Sequence, residues 1–232
     1  MAEQGKQAER VALTADTIVA AATELIERDG LASFTMRSLG RELGVSAMAV
    51  YGYFSSREEV LAAVLERFMA TMDTAPVPGE MWDDTMRRTM TSIYRVETSH
   101  PELTGIKVGP QAGEGGLAAH TDRIVGIYLA QGMPEKVLTQ AWAMVDAYLT
   151  GFIGNAIDLK SDHASLMHPM AAELRSLDAE GASSDAVEMA PWRRIVTSAY
   201  TDEAFADGME IIIQGIRALA APDPCLWRTP EA

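Results

Sequence analysis

Apolar positions recur three and four residues apart along most of the chain, and this spacing predicts helices. Two short patterns stand close together and are joined by a turn at Gly44. Their apolar positions are Met36, Leu39, Leu43, Val45, Ala49, Val50 and Phe54. Thr35 and Ser46 stand where each helix should begin, because their hydroxyls can accept hydrogen bonds from the amides of a first turn. The arrangement predicts a helix-turn-helix.

The same spacing predicts a helix on each side of this motif, from about Thr14 to a Gly30 C-cap and from about Ser56 to Met72. The prolines and glycine of 74–79 then break the pattern and mark a domain boundary. Further helices are predicted over about 82–100, 103–108, 117–132, 134–158, 164–177 and 201–220. No alternating pattern of period two persists anywhere. We therefore predict an all-α fold.

The predicted organisation is an N-terminal three-helix helix-turn-helix domain, linked by a fourth helix to a C-terminal helical domain for ligand binding and dimerisation. Its predicted limits are a flexible arm over 1–12, the DNA-binding domain over 13–72, the helical body over 80–222 and a tail over 223–232. A single cysteine, Cys225, excludes an internal disulfide framework and fits a reducing compartment. No signal peptide or membrane-spanning stretch is evident. We expect a cytoplasmic protein without a membrane partner.

The net charge of −14 is unusual for a protein that binds DNA, so the position of the charge matters. Residues 1–60 carry six basic and nine acidic side chains, and most of the acidity therefore lies in the body. The head has no basic surplus. DNA binding must therefore depend on a few placed arginines, and we expect weak non-specific affinity with a modest salt dependence.

Residues 14–68 resemble the head of the TetR family of bacterial transcriptional regulators. The resemblance is carried by Gly30, Phe34–Arg37, Gly44–Ser46, Tyr51–Phe54 and Ser56–Leu61. It implies a set of DNA-binding residues, namely Thr35, Arg37, Ser46, Ala47, Met48, Tyr51, Tyr53 and Arg57. Of these, the resemblance places Thr35, Arg37, Tyr53 and Arg57 at the DNA backbone and the other four at the major groove. The alternative for both tyrosines is packing inside the head with only the hydroxyl exposed.

Two residues of the head depart from the family pattern. Gly52 stands where family members usually carry a larger residue, which removes a possible DNA contact. Arg57 replaces the more common lysine, which keeps the charge and adds the option of a bidentate phosphate contact.

Two segments of the body, Trp142–Phe152 and Phe205–Gly215, resemble the dimerisation helices of the tetracycline-repressor subgroup. The dimer interface that this implies contains Gly151, Gly154, Gly208, Ile212 and Gly215. Glycine inside a helix lowers stability by roughly 1 kcal/mol relative to alanine. Close packing between two subunits would explain why the body retains these glycines.

The resemblance also implies a pocket for a small-molecule inducer in the body. The candidate lining residues are Trp82, Met86, Met90, His100, Ile106, Trp142 and Val145; the alternative for each is ordinary core. Fourteen methionines favour an adaptable apolar pocket. Asn155 stands near the position where tetracycline repressors carry a metal-binding carboxylate, so magnesium with tetracycline is not the expected ligand. The four histidines lack metal-site spacing, and we expect no metal and no cofactor.

No nucleophile elbow, phosphate-binding glycine loop or HExxH motif is present, so we expect no catalytic residues and no enzyme. We expect a homodimeric, ligand-responsive, sequence-specific DNA-binding regulator. It would be a repressor that a small apolar molecule releases from a palindromic operator. The alternative is a helical small-molecule-binding protein with little or no DNA binding, for which the acidic head and Gly52 are the arguments.

Overall fold

The computed structural model describes residues 12–107, 116–160, 195 and 198–220. Within these ranges every regular element is helical, which confirms the all-α prediction. The helix predicted over 164–177, residues 1–11 of the arm and the tail from 223 lie outside them, as does Cys225. The described backbone divides into two units: residues 12–71, 102–107 and 116–120 form the first, and residues 72–101, 121–160 and 198–220 form the second.

The first unit contains four helices, each of which begins directly after a hydroxyl residue. Helix α1 spans Ala15–Asp29, α2 Met36–Glu42, α3 Ala47–Tyr51 and α4 Arg57–Met69, and a 3₁₀ turn spans Leu31–Ser33. The side chains that cap the four N-termini are those of Thr14, Thr35, Ser46 and Ser56. Each accepts a hydrogen bond from an amide of the first turn, so the predicted helix starts are confirmed.

The core of the first unit is formed by the apolar positions that predicted its helices. Helix α1 packs against α2 and α4, and α2 packs against α3. Buried side chains of this unit include Ile18, Leu25, Ile26, Phe34, Leu39, Val50, Val60 and Val64. Full burial of a side chain of this size contributes about 1.5–3 kcal/mol. The burial of these apolar side chains therefore holds the four helices together.

Two glycines of the first unit have positive φ. Gly44, at +67°, ends the turn that follows α2, where a side chain would strain the backbone. Gly30 was predicted as a left-handed C-cap; its φ is 81° but its ψ is 150°, so it leaves α1 in a more extended conformation. Its amide still donates to the carbonyl of Ile26 at 2.9 Å, which satisfies the helix end.

The second unit is built around three longer helices. Helix α5 spans Trp82–Ser99, α8 spans Glu135–Lys160 and α9 spans Asp202–Ala220. Each of these helices packs against the other two. An ion pair supports the contact of α5 with α9, because the Arg87 guanidinium donates to the Glu210 carboxylate at 2.8 and 3.0 Å.

The remaining helices, α6 over Pro101–Thr104 and α7 over Gly116–Ala130, each cross the division between the units. The prediction of a helix over 103–108 was wrong in position and length. Proline is pre-organised for the first turn of a helix, so α6 begins at Pro101, and Gly105 follows its last residue. Among the helices in the described part of the chain, none has both the length and the hydrophobicity needed to cross a membrane.

Candidate functional site

The helix-turn-helix is closed by a backbone contact at Gly40. The amide of Val45 donates to the Gly40 carbonyl at 2.8 Å, which folds the turn back onto α2. A Cβ at Gly40 would lie 3.0 Å from the Ala47 amide nitrogen, 3.1 Å from the Val45 carbonyl oxygen and 3.2 Å from the Ser46 carbonyl carbon. Any larger residue would have to push these backbone atoms apart by a few tenths of an ångström, so glycine favours the close approach of α2 to the start of α3. The sequence signal for this role is a glycine inside a short helix, away from any turn.

Helix α3 is anchored on one side and exposed on the other. Val50 is fully buried, while Met48 is 76% exposed and Tyr51 is 45% exposed. The Ser46 hydroxyl accepts from the Ala49 amide at 3.3 Å, so its first task is to cap the helix. Ala47 is partly exposed. The predicted major-groove residues thus include a flexible apolar side chain and a tyrosine whose hydroxyl has no hydrogen-bond partner among the described residues.

The two residues predicted to hold phosphate at the start of α2 differ in their availability. Thr35 and Ser38 form a capping box, with hydrogen bonds of 3.0 Å from the Ser38 amide and 2.9 Å from the Thr35 amide. Arg37 is exposed, and its guanidinium makes no hydrogen bond or ion pair within residues that the structure describes. Arg37 is therefore a cation of the motif that is available to meet a phosphate.

Tyr53 and Arg57 make contacts inside the head that the sequence did not predict. The Tyr53 hydroxyl donates to the Leu13 carbonyl at 2.7 Å, although the ring stays about half exposed. The Arg57 guanidinium donates to the carbonyls of Phe34 at 3.0 Å and Leu31 at 3.4 Å, and it lies 5.5 Å from the Phe34 ring centroid. Both side chains position the ends of α1 and α4 in this structure. Their DNA contacts stay predictions.

The candidate ligand residues are divided between the two units. Trp82, Met86 and Met90 lie at successive turns of one face of α5 and are buried, and Val145 of α8 is buried as well. Trp142 and His100 are partly exposed. Ile106 is buried and is assigned to the first unit, whereas the other six are assigned to the second. The α5 face is therefore the best-defined part of the candidate lining.

An aromatic cluster joins α5, α8 and α9 and was not predicted as a group. Tyr94 stacks on Phe205 with ring centroids 4.1 Å apart, and Phe152 meets the edges of both rings at 5.6 and 5.3 Å. The Tyr94 hydroxyl donates to the Asp202 carboxylate at 2.8 Å. Burial and this negative neighbour raise the pKa of Tyr94 to about 12, so the phenol stays protonated and keeps the bond. The cluster fixes the three helices relative to one another.

A polar network ties the segment before α5 to α5 itself. Arg88 uses all five guanidinium donors on three residues: the Glu80 carboxylate at 2.7 and 2.8 Å, the Asp73 carbonyl and carboxylate, and the Ala75 carbonyl. The hydrogen bonds from Arg88 hold the pKa of Glu80 below its usual range. Gln131, just after α7, donates to the Glu80 carbonyl at 2.9 Å. In the sequence, two adjacent arginines at 87 and 88 do not indicate that one of them forms this network.

The glycines predicted at a dimer interface fall into two groups. A Cβ at Gly208 would lie 2.7 Å from Cζ of Tyr148 and would overlap its hydroxyl, so a contact within the same chain accounts for this glycine. A Cβ at Gly151 or Gly215 would meet nothing within 4 Å. Gly154 and Ile212 are partly exposed. Packing within the described chain therefore does not explain Gly151 and Gly215.

Comparison with known proteins identifies the head and the body separately. A family model described as "Bacterial regulatory proteins, tetR family" matches residues 18–64, and one described as "Tetracyclin repressor-like, C-terminal domain" matches residues 75–220. The chain is 28% identical over 170 residues to an HTH-type transcriptional regulator of Saccharopolyspora erythraea, an alignment that covers 72% of each chain. It is 26% identical over 151 residues to the HTH-type transcriptional repressor DrrR1 of Streptomyces coeruleorubidus, covering 60% of this chain and 52% of that protein.

The fold is also similar to a solved structure, that of the TetR family protein ActR from Streptomyces coelicolor in complex with actinorhodin. The TM-score is 0.62 at 20% identity, and the match covers 90% of this chain and 99% of ActR. At this level of sequence identity, the similarity shows that the two proteins share a fold. Because the second family model alone spans more than half of the sequence, and the first matches the helix-turn-helix, the chain belongs to the TetR family of transcriptional regulators.

Proposed function

We propose that this DNA-binding regulator is a repressor that acts as a cytoplasmic homodimer and leaves a palindromic operator when a small apolar molecule binds its body. The observation that carries the proposal is the helix-turn-helix of the predicted DNA-binding domain, 13–72. Val50 anchors α3 in the core while Met48 and Tyr51 remain exposed beside it. The relative DrrR1 is named a repressor, and the ActR structure holds actinorhodin; both support the assignment.

The proposed dimer sets the geometry of the operator. Two recognition helices related by a two-fold axis enter successive major grooves about 34–36 Å apart, so the half-sites are centred about one helical turn apart. The ligand lowers operator affinity because it prefers the state of the dimer that binds DNA poorly. Linkage then requires DNA to weaken ligand binding by the same factor.

The proposed ligand site lies in the body, 80–222, on the face of α5 that carries Trp82, Met86 and Met90. Apolar side chains with adaptable shapes suit a small, largely apolar ligand. Asn155 donates its amide to the Gly151 carbonyl at 2.7 Å, and an amide is a poorer magnesium ligand than a carboxylate. These features favour an organic ligand without a metal.

A gel shift at low salt, with DNA from around the protein's own gene, tests the function directly. The expected result is one retarded species that a subset of compounds from a thermal-shift screen, beginning with actinorhodin, converts back to free DNA. Absence of any shift, together with ligand stabilisation of the protein, would favour a small-molecule-binding protein without DNA binding. A shift that no stabilising compound reverses would contradict ligand-controlled release.

Tyr51→Ala is expected to weaken operator binding by about tenfold or more, because a well-placed base or phosphate contact contributes about 1–3 kcal/mol. Fluorescence anisotropy with a labelled operator measures the change, and sedimentation checks that the dimer persists. Tyr51→Phe is the matched control that removes only the hydroxyl. Unchanged affinity in Tyr51→Ala would place this residue outside the DNA-binding face.

Gly215→Leu is expected to shift the protein from dimer to monomer at micromolar concentration without unfolding it. A Cβ at this position meets nothing within 4 Å in the described part of the chain, and a leucine would separate two subunits packed at this glycine. Ile211, 74% exposed on the same helix, shows that this side of α9 has apolar surface to bury. Gly126→Leu on α7 is the control, since a Cβ at Gly126 also meets nothing within 4 Å. A Gly215→Leu variant that sediments as a dimer would contradict the interface.

A further inference from the structure

The exposed face of α3 lacks the side chains that read bases by paired hydrogen bonds. Arginine and lysine read guanine, and asparagine and glutamine read adenine, through two hydrogen bonds each. Residues 46–53 contain none of these four types. The hydroxyl of Ser46 caps the helix and that of Tyr53 binds Leu13, which leaves Tyr51 with an uncommitted polar group. Most of what this face can offer to a base is therefore apolar.

Met48 dominates that apolar surface. At 76% it is more exposed than the other large apolar side chains that the structure leaves at the surface. Its thioether chain is flexible and follows an irregular apolar surface well. In the major groove the apolar feature of a base pair is the C5-methyl group of thymine. Met48 and a thymine methyl are thus complementary in chemistry.

Gly52 makes room beside Met48. The two residues are four apart, so they share one face of the recognition helix and its C-cap. Gly52 has φ −70° and ψ −17°, a conformation open to every residue type, and a Cβ there would meet only the Ala49 carbonyl oxygen at 3.2 Å. These φ and ψ values do not require glycine, and an added carbon at Gly52 would have to accommodate one close backbone atom, whereas at Gly40 it would have to accommodate three. What the glycine provides is open space next to the methionine, where a base edge can approach.

We propose that Met48, with Ala47 and the open position Gly52, reads thymine methyl groups, so that the operator half-site is specified largely by the placement of thymines. This inference rests on the proposed function, because it requires α3 to enter a major groove. It deepens that function by naming the chemical group that is recognised. Arg37, exposed at the start of α2, supplies the phosphate contact that holds the duplex but carries no sequence information.

The experiment removes methyl groups from the DNA without changing its base pairing. The full-length protein first selects an operator from a pool of random duplexes. Each thymidine of the selected operator is then replaced singly by deoxyuridine, which pairs identically and lacks the methyl. At one or two positions per half-site we expect affinity to fall about fourfold, the factor that corresponds to losing the burial of one methyl-sized group. Fluorescence anisotropy gives the affinities.

The protein variants assign the effect to a residue. Met48→Ala is expected to bind the thymidine and deoxyuridine operators equally, and it should melt like the wild type because Met48 is exposed. Arg37→Ala is the matched control: it should weaken both operators by the same factor and reduce the slope of log affinity against log salt by about 1. At the same positions, 5-methylcytosine should bind wild type more tightly than cytosine, and Met48→Ala should show no such preference.

The outcomes separate this inference from the function on which it rests. A selected operator whose affinity is unaffected by every deoxyuridine overturns the reading of methyl groups and leaves DNA binding intact. A methyl effect of equal size in wild type and Met48→Ala overturns the role of Met48. If no duplex is selected and none is retarded at low salt, the proposed function fails and the inference fails with it.

Discussion

Replacing Gly40 by valine is expected to destabilise the helix-turn-helix and to weaken operator binding. The first added carbon would lie 3.0–3.2 Å from backbone atoms of Val45, Ser46 and Ala47, and backbone cannot rotate away as a flexible side chain can. Overpacking of this kind typically costs about 1–3 kcal/mol, and the branched side chain adds two further methyl groups to the contact. This loss is a measurable fraction of the total stability of a typical protein, which is about 5–15 kcal/mol.

Circular dichroism on heating, and hydrogen exchange of the amides of 36–51, measure the effect of Gly40→Val. Gly126→Val is the control, because it makes the same substitution in a helix where an added carbon meets nothing within 4 Å. We expect the control to change stability by less than about 0.5 kcal/mol, as for an ordinary surface site. A Gly40→Val protein that melts with the control and still shifts operator DNA would contradict the role assigned to this contact.

The helix starts of the head could be predicted because the interactions that set them are local. Thr35 and Ser46 each bind an amide three residues ahead, so the sequence window that contains the cap also contains its partner. The apolar spacing adds the direction of the core, since residues three and four apart share a face. These two rules suffice for the order and start of α1 to α4.

The partners of long polar side chains could not be predicted, because they lie far away in the sequence. Arg57 binds carbonyls 23 and 26 residues away, and the Tyr53 hydroxyl binds a carbonyl 40 residues away. Family resemblance implied a DNA contact for both, and nothing in the sequence showed these intramolecular bonds. Gly208 illustrates the same point for packing, since Tyr148 is 60 residues away and its position depends on how α8 meets α9.

For the body, the sequence indicated which residues are buried but not where in the fold they lie. Met86, Met90 and Ile106 were candidate lining residues of a ligand pocket, with ordinary core as the alternative, and all three are buried. Spacing does not show which core a residue joins, and Ile106 belongs to the first unit while the two methionines belong to the second. Assigning lining residues requires the path of the chain between α5 and α7.

Arg88→Leu is expected to destabilise the second unit by about 3 kcal/mol, since removing one partner of a largely buried ion pair leaves the other charge uncompensated. The side chains of Arg88 and Glu80 are only 21% and 13% exposed. The variant also loses the hydrogen bonds to Asp73 and Ala75, so the segment that follows α4 is held to α5 less firmly. Chemical denaturation measures stability, and hydrogen exchange of 73–80 should accelerate.

The pH dependence of stability and a second substitution show whether the uncompensated charge of Glu80 causes the loss of stability in Arg88→Leu. Arg88 keeps the pKa of Glu80 low, so its stabilising effect is present above the ordinary glutamate range and is lost as the pH falls through the lowered pKa. The stability difference between wild type and Arg88→Leu should therefore narrow in acid, and Glu80→Leu should restore part of the stability of Arg88→Leu at pH 7. The control is Arg28→Leu, which breaks an exposed ion pair with Glu42 and should lower the stability much less than Arg88→Leu. Equal losses of stability for the two arginine variants, at every pH, would show that the largely buried Glu80 carboxylate does not require Arg88.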